Sequence, residues 1–204
     1  MLRLPFVVAA DLPAAVATVR EVLGRHGVVA IPTESFYGLA VDPRDREALA
    51  RIYRAKDRVA EKALLVVAAS LEQVETLVVI EEPWRARLHE AWPAPLTVVL
   101  PDRRAGAGRD ATLAVRVPAH DLLRRLLALV GPLTATSANP SGGAPANDPS
   151  EVERVFGSLL DLLLDGGRTP GGLPSTLVDC TAHPPVLLRR GGWELPDGWG
   201  VKEP

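Results

Sequence analysis

The residues with chemistry to offer gather where apolar stretches end. "PTES" leaves a hydrophobic run with Thr33 and Ser35, and "KDR" closes a helical pattern with Lys56 and Arg58, with Lys62 close behind. "TLAVR" carries Thr112 and Arg116, "PST" carries Ser175 and Thr176, and "LLRR" brings Arg189 to the end of a strand. The segment "PLTATSANPSGGAP" begins as a strand. It then fills with Thr134, Thr136, Ser137, Asn139 and Ser141 before it reaches Gly142, Gly143 and Pro145. A strand that only packs has no use for so many donors and acceptors at its end. Arg116 lies between Val115 and Val117. In a core strand its guanidinium must find a counter-charge, because an unpaired buried charge is very costly. The alternative is the polar face of an antiparallel strand. Twenty arginines stand against three lysines, two of which are Lys56 and Lys62. A chain that otherwise prefers arginine can use a compact ammonium at a phosphate site. The alternative is a solvated helix end, and Lys202 shows that isolated lysines occur.

Other chemistries lack their residues. There is no GxxxxGK[ST] loop, and "GRTPGG" lacks the strand–GxGxxG–helix setting of a dinucleotide site. His26, His89, His120 and His183 are scattered, and no His, Cys or carboxylate set has metal-ligand spacing. Cys180, in the alternating "LVDCT", reads as packing. Trp92 reads as core, and Asp179 as a strand-end cap or the partner of a cation. No serine sits in a GxSxG elbow. Cations and hydroxyls without a protein nucleophile or general base suit reactions whose reactive groups belong to the substrates. Phosphoryl and nucleotidyl transfer are the main examples, because there the protein positions groups and neutralises developing charge.

These groups need a scaffold. A chain of 204 residues with 47% hydrophobic content can build one sizeable core, and a single domain is expected over residues 1–204. Net charge is −2, so any basic surface is local. One cysteine excludes a disulfide framework. The proline-broken start does not read as a signal peptide, and no apolar run reaches the ~18 residues of a membrane helix. A soluble cytoplasmic protein is the plain reading.

Asp11 is placed to cap a helix over 12–26, with Pro13 in its first turn and Gly27 as its stop. A strand over 27–33, a loop over 34–43 and a helix over 44–56 follow. A strand is expected at 63–69, and Ser70 with Gln73 forms a capping box for a helix over 71–79. Further helices are expected at 83–92 and 120–130. Another follows Ser150, which caps it with Glu153. Strands are expected at 96–100, 113–117, 160–167, 175–181 and 185–192, and the tail after Arg190 is expected to be loosely held. Helices and strands alternate early, and strands cluster late. The fold class is therefore α/β, with one twisted mixed sheet carrying helices on its faces.

Taken together, "IPTESFYGLAVDP", "KDRVAEKALLVVAA", "WPAPLTVVLP", "LAVRVPAH", "PLTATSANPSGGAPA" and "PSTLVDCT…VLLRRG" resemble, in order and spacing, the YrdC-like family of threonylcarbamoyl-AMP synthases. The likeness runs from about residue 10 to 192. It implies a twisted α/β fold with a concave basic cleft, and synthesis of threonylcarbamoyl-AMP and pyrophosphate from L-threonine, bicarbonate and ATP, with Mg2+ accompanying the ATP. Partner proteins then carry the threonylcarbamoyl group to tRNA, at the adenosine beside the anticodon, and direct RNA contact is possible in such a family. By the same resemblance, Lys56 and Arg58 are the catalytic cations. They bind ATP together with Lys62, Thr112, Ser137, Asn139 and Arg189, while Thr33, Ser35, Arg116 and Ser175 form the threonine pocket. Arg116 would then find its counter-charge in the threonine carboxylate. Ser35 stands where the family often has threonine, and Ala40 where it often has glycine. The chain resembles the short, single-domain bacterial branch. Three other readings are open: a non-catalytic paralogue that binds double-stranded RNA or a nucleotide, a carbamoyl-adenylate-forming domain of hydrogenase maturation, and a regulatory ligand-binding module.

Overall fold

The computed structural model describes residues 1–56, 65–105, 111–140 and 143–203. Its helices are α1 (Leu12–Gly24), α2 (Arg46–Ala55), α3 (Leu71–Glu75), α4 (Trp84–Ala91), α5 (Asp121–Val130) and α6 (Pro149–Phe156). The strands are β1 (Leu2–Pro5), β2 (Val29–Pro32), β3 (Tyr37–Ala40), β4 (Val66–Val67), β5 (Leu96–Pro101) and β6 (Thr112–Arg116). They continue with β7 (Leu133–Thr134), β8 (Thr136–Ser137), β9 (Leu162–Asp165), β10 (Thr176–Asp179) and β11 (Val186–Arg189).

The α/β class is as expected, but the strands form two mixed sheets instead of one. Their orders are β1-β9-β2-β3-β8 and β11-β10-β5-β6-β4-β7. The chain crosses between the sheets inside the hydroxyl-rich segment. β7 pairs with β4 in the second sheet and β8 pairs with β3 in the first, with only Ala135 between them. Thr134 stitches the crossing. Its amide donates to Val41 O at 2.9 Å, and its hydroxyl accepts from the Val41 amide at 2.9 Å.

The period-2 alternation of strands sorts the second sheet into two faces. Leu96, Val98 and Leu100 of β5, Leu113 and Val115 of β6, and Val178 of β10 join one buried cluster, which Trp84 and Leu88 of α4 cover. Thr97, Ala114, Arg116 and Leu177 face the other way, toward the first sheet. The first sheet is covered on one face by α2 and α6 and on the other by α1 and α5.

Several local expectations change. Residues 37–40, read as loop, form the fully buried strand β3. "YGLA" lacks the β-branched residues that mark strands in a sequence, and pairing on both sides supplies the order instead. β1 was not expected; it pairs in parallel with β9 at the edge of the first sheet. α1 stops at Gly24, and the Asp11 carboxylate accepts from the amides of Val7 and Val8 rather than from the helix. Gly27 acts beyond the helix end, where its amide bonds to Val22 O at 2.9 Å. A Cβ at Gly27 would lie 2.6 Å from that oxygen. α3 spans only Leu71–Glu75, and the cap of α6 is Asp148, which accepts from the Ser150 amide.

The tail is not loosely held. Trp199 is buried against Trp84, with ring centroids 5.3 Å apart, and Arg87 lies 5.1 Å from the Trp84 ring centre and 5.8 Å from that of Trp199. The Lys202 amide donates to Pro185 O, and Lys202 O accepts from the Leu187 amide. Indole burial and these backbone bonds outweigh the chain entropy released at a terminus.

Tyr37 ties β3 to the turn after β9. Its hydroxyl donates to Gly167 O at 2.7 Å and accepts from the Gly166 amide at 3.1 Å. Burial pushes its pKa up to about 12. Tyr37→Phe strands both backbone groups, so a loss of about 1–3 kcal/mol is expected. That loss would appear as a melting temperature lower by roughly 2–4 °C per kcal/mol. An unchanged melting temperature would show that these bonds contribute nothing net.

Candidate active site

The two sheets face each other across a cleft of about 380 Å³, within the range of small-ligand sites. The first sheet and its turns contribute Ser35, Phe36, Tyr37 and Ser137, and the second sheet contributes Thr97, Arg116, Leu177 and Arg189. Among the described residues two guanidinium groups line the cleft and no carboxylate does.

Arg116 owes its position to alternation along β6. Val115 points into the core, so Arg116 points into the cleft, together with Ala114. Thr112 belongs to the same face by register, about 13 Å along the strand from Arg116. It is exposed and outside the cleft lining. The polar-face reading of β6 and the buried-arginine reading are thus both partly right. The strand alternates, but the first sheet closes over it and leaves Arg116 only 5% exposed. Its counter-charge within the chain is Glu34. Arg116 Nη2 donates to Glu34 Oε2 at 2.9 Å and lies 2.9 Å from Oε1. Burial, and secondarily the charge of Arg189, pull the guanidinium below its ordinary pKa, while Glu34 opposes both. Arg116 Nε and Glu34 Oε1 are buried without a hydrogen bond, and Nη1 makes none to a described residue. The pair is therefore incompletely satisfied, and the guanidinium keeps donors for a further anion. Sequence reasoning missed Glu34; its place between two candidate hydroxyls in "PTES" was the available signal.

The two hydroxyls beside Glu34 play different parts. Thr33 Oγ1 donates to Phe36 O at 2.7 Å and accepts from the amides of Ser35 and Phe36, so its proton is spent on its own turn. Ser35 is also buried, but its hydroxyl has a single described contact, 3.5 Å from Thr33 Oγ1, and it lines the cleft. It is available to a ligand.

At the far wall, Ser175 Oγ lies 2.7 Å from Thr97 Oγ1 and accepts from Arg189 Nη2 at 3.2 Å. Arg189 also donates from Nε and Nη2 to Ser175 O. Partial burial lowers its pKa, with no anion among the described residues to offset the effect. Thr97 was missed because a threonine inside "LTVVL" reads as ordinary strand composition.

The third group is the crossing segment. Lys56, at the end of α2, is 5% exposed. Its ammonium donates to Ser137 O at 2.5 Å and to Asn139 Oδ1 at 3.3 Å. Ser137 Oγ donates to Asn139 Oδ1 at 2.5 Å, and Asn139 Nδ2 donates to Pro140 O at 3.0 Å and Gly143 O at 2.6 Å. The amide of Asn139 is thus fully committed to shaping the loop. Ser137 and Asn139 thus surround the lysine with hydrogen bonds, and Ser137 remains on the cleft wall. Arg58, Lys62 and Ser141 lie outside the described residues.

Among the described residues no cluster of His, Cys, Asp or Glu could hold a metal, and no helix is long and apolar enough to cross a membrane.

The Sua5/YciO/YrdC family model, described as telomere recombination, matches residues 21–191. A threonylcarbamoyl-AMP synthase from Pyrococcus abyssi is 41% identical over 174 residues, covering 82% of this chain and 51% of its own. The chain thus spans about half the length of that relative. A threonylcarbamoyl-AMP synthase from Stutzerimonas stutzeri is 38% identical, with 80% of this chain and 91% of the relative covered. The crystal structure of P. abyssi Sua5 complexed with L-threonine superposes with a TM-score of 0.80 at 37% identity, covering 94% of this chain and 57% of that one.

Proposed function

The chain belongs to the Sua5/YciO/YrdC family, and from that premise we propose that it is a threonylcarbamoyl-AMP synthase. It combines L-threonine, bicarbonate and ATP into threonylcarbamoyl-AMP, pyrophosphate and water. The observation that carries this reading is the cleft itself. A buried guanidinium with unfilled donors, a nearly free serine hydroxyl and a second cation with no counter-ion among the described residues face one cleft. Such a space suits an amino-acid carboxylate and a nucleotide together.

In this reading the threonine carboxylate docks on the open donors of Arg116, and the side-chain hydroxyl meets Ser35 and Ser175. The amine, once deprotonated, bonds to the carbon of bicarbonate and water leaves, giving the carbamate. A carbamate oxygen attacks the α-phosphorus of ATP, and the bond to the β,γ-pyrophosphate breaks. Charge builds on phosphate oxygens in that step. Lys56, Arg58, Lys62 and Arg189 would neutralise it, with Ser137 on the cleft wall and with Asn139 and Thr112, outside the cleft lining, assigned to the nucleotide by the family resemblance. Magnesium arrives with the nucleotide. Among the described residues the cleft lining carries no carboxylate, so the nucleotide's own phosphate oxygens and water would hold the ion. The product is a reactive mixed anhydride. It is passed to tRNA-modification proteins that place the group on the adenosine beside the anticodon; direct RNA contact is part of the same proposal.

Pyrophosphate release from ATP is expected to require both threonine and bicarbonate. Among amino acids the order should be threonine, then serine, then valine. Loss of one methyl costs ~1–3 kcal/mol of discrimination, whereas valine leaves buried polar groups unpaired, a larger penalty. Release that ignores threonine, or valine used as well as threonine, would overturn the synthase reading. No release at all would return the chain to the non-catalytic alternative.

A further inference from the structure

The glycine-rich "GRTPGGLP" was set aside as a nucleotide motif. In the structure its Thr169 and Gly171 lie outside the cleft lining and hold the turn that carries Ser35, while Pro174 near its end lines the cleft. Both acceptor positions of the Ser35 carbonyl are filled from this segment, by Thr169 Oγ1 at 2.7 Å and by the Gly171 amide at 2.8 Å. Thr169 is 5% exposed and does not line the cleft. Its own amide donates to Asn147 O at 2.8 Å. Asn147 follows Ala146, whose amide bonds to Ala138 O and whose carbonyl accepts from the Tyr37 amide. One threonine therefore joins the Ser35 turn to the chain leaving the Ser137–Asn139 wall. The segment reaches this position through left-handed backbone at Gly171, φ 72°, where a Cβ would also press to 3.2 Å from Asn147 Nδ2.

We propose that Thr169 is a positioning residue for amino-acid recognition: through the Ser35 carbonyl it sets the depth at which the Ser35 hydroxyl stands in the cleft. The proposal rests on the reading of Ser35 as a contact of the amino-acid substrate. It assigns Thr169 and Gly171 the task of a strap, outside the cleft lining and acting through Ser35.

The test is steady-state pyrophosphate release with Thr169→Val, Thr169→Ser and Ser35→Ala. Valine keeps the shape of threonine and deletes one donor, so KM for threonine should rise about three- to tenfold, the worth of one net hydrogen bond. KM for ATP should stay unchanged and kcat should stay within about twofold. Thr169→Ser keeps the hydroxyl and should restore the native KM. In a Ser35→Ala background, Thr169→Val should add less than a twofold further effect, because the two act in series. A native threonine KM in Thr169→Val, an equal rise in the KM of ATP, or full additivity with Ser35→Ala would overturn the strap. If Ser35→Ala itself leaves threonine use untouched, the reading of Ser35 falls instead. Should Thr169→Val not yield folded protein, Thr169→Ala makes the same comparison, with the same deciding outcomes.

Discussion

Arg116→Leu is expected to abolish threonine binding in calorimetry while ATP affinity is retained. Judged from Val115 and Val117 alone, leucine suits the strand and the fold should be indifferent. The pair with Glu34 changes that expectation. Removing one partner of a buried ion pair leaves the other uncompensated, at a cost of about 3–5 kcal/mol, and here the stranded group is a carboxylate only 15% exposed at its side chain. Chemical denaturation of Arg116→Leu should show that loss. Adding Glu34→Gln should recover much of the stability, because the stranded charge is gone, and should not recover threonine binding. The two readouts separate the roles of Arg116. Native threonine affinity in Arg116→Leu would make the arginine purely structural and move the pocket elsewhere. Native stability would mean that the Glu34 pair contributes nothing net.

Lys56→Met should nearly silence pyrophosphate release and leave threonine binding in place. The ammonium is asked to do two things. One is a charge-assisted phosphate contact of about 1.5–3 kcal/mol, roughly ten- to 150-fold in affinity or rate. The other is to hold Ser137 O and Asn139 Oδ1 together. Methionine fills the space and supplies neither. Lys56→Arg should rescue poorly, because a planar fork cannot reproduce the compact geometry of an ammonium bonded to both oxygens. Wild-type release in Lys56→Met would remove the lysine from the nucleotide site and leave it as a fastener of the turn.

The cleft also explains the mixture of hydroxyls and amides that the chain displays at strand ends. Some are spent on architecture: Thr33 on its own turn, Thr134 on the crossing between sheets, and Asn139 on the loop around Lys56. Others are left facing the cleft, as Ser35 is. Composition does not separate the two groups, since both consist of the same residue types at the same kind of position. Only a count of which donors and acceptors are already filled does so.

The residue types, their order and the period of two in "LAVRV" belong to the sequence. They suffice to place a cation opposite a core face and to mark the segments where hydroxyls and cations collect, because alternation is a local property of an extended chain. Local signals also located α1, α2, α4 and α5: apolar periodicity is strong in α2 and α5, while prolines mark the first turn of α1 and the stretch after α4. Tertiary structure decided the rest. The chain changes sheet between β3 and β4, again across the single residue Ala135, and again between β9 and β10, and no window of sequence contains the partners on either side. Arg116 meets Glu34 across 82 positions, and Thr169 meets Ser35 across 134. Such contacts form only when long loops have closed, and their entropy is repaid by burial that the whole fold provides. The same cause ordered β3 against its weak propensity and drew Trp199 down onto Trp84. The chain encodes which groups can act, and the packing of one sheet against the other selects which of them are buried, paired and left open to a substrate.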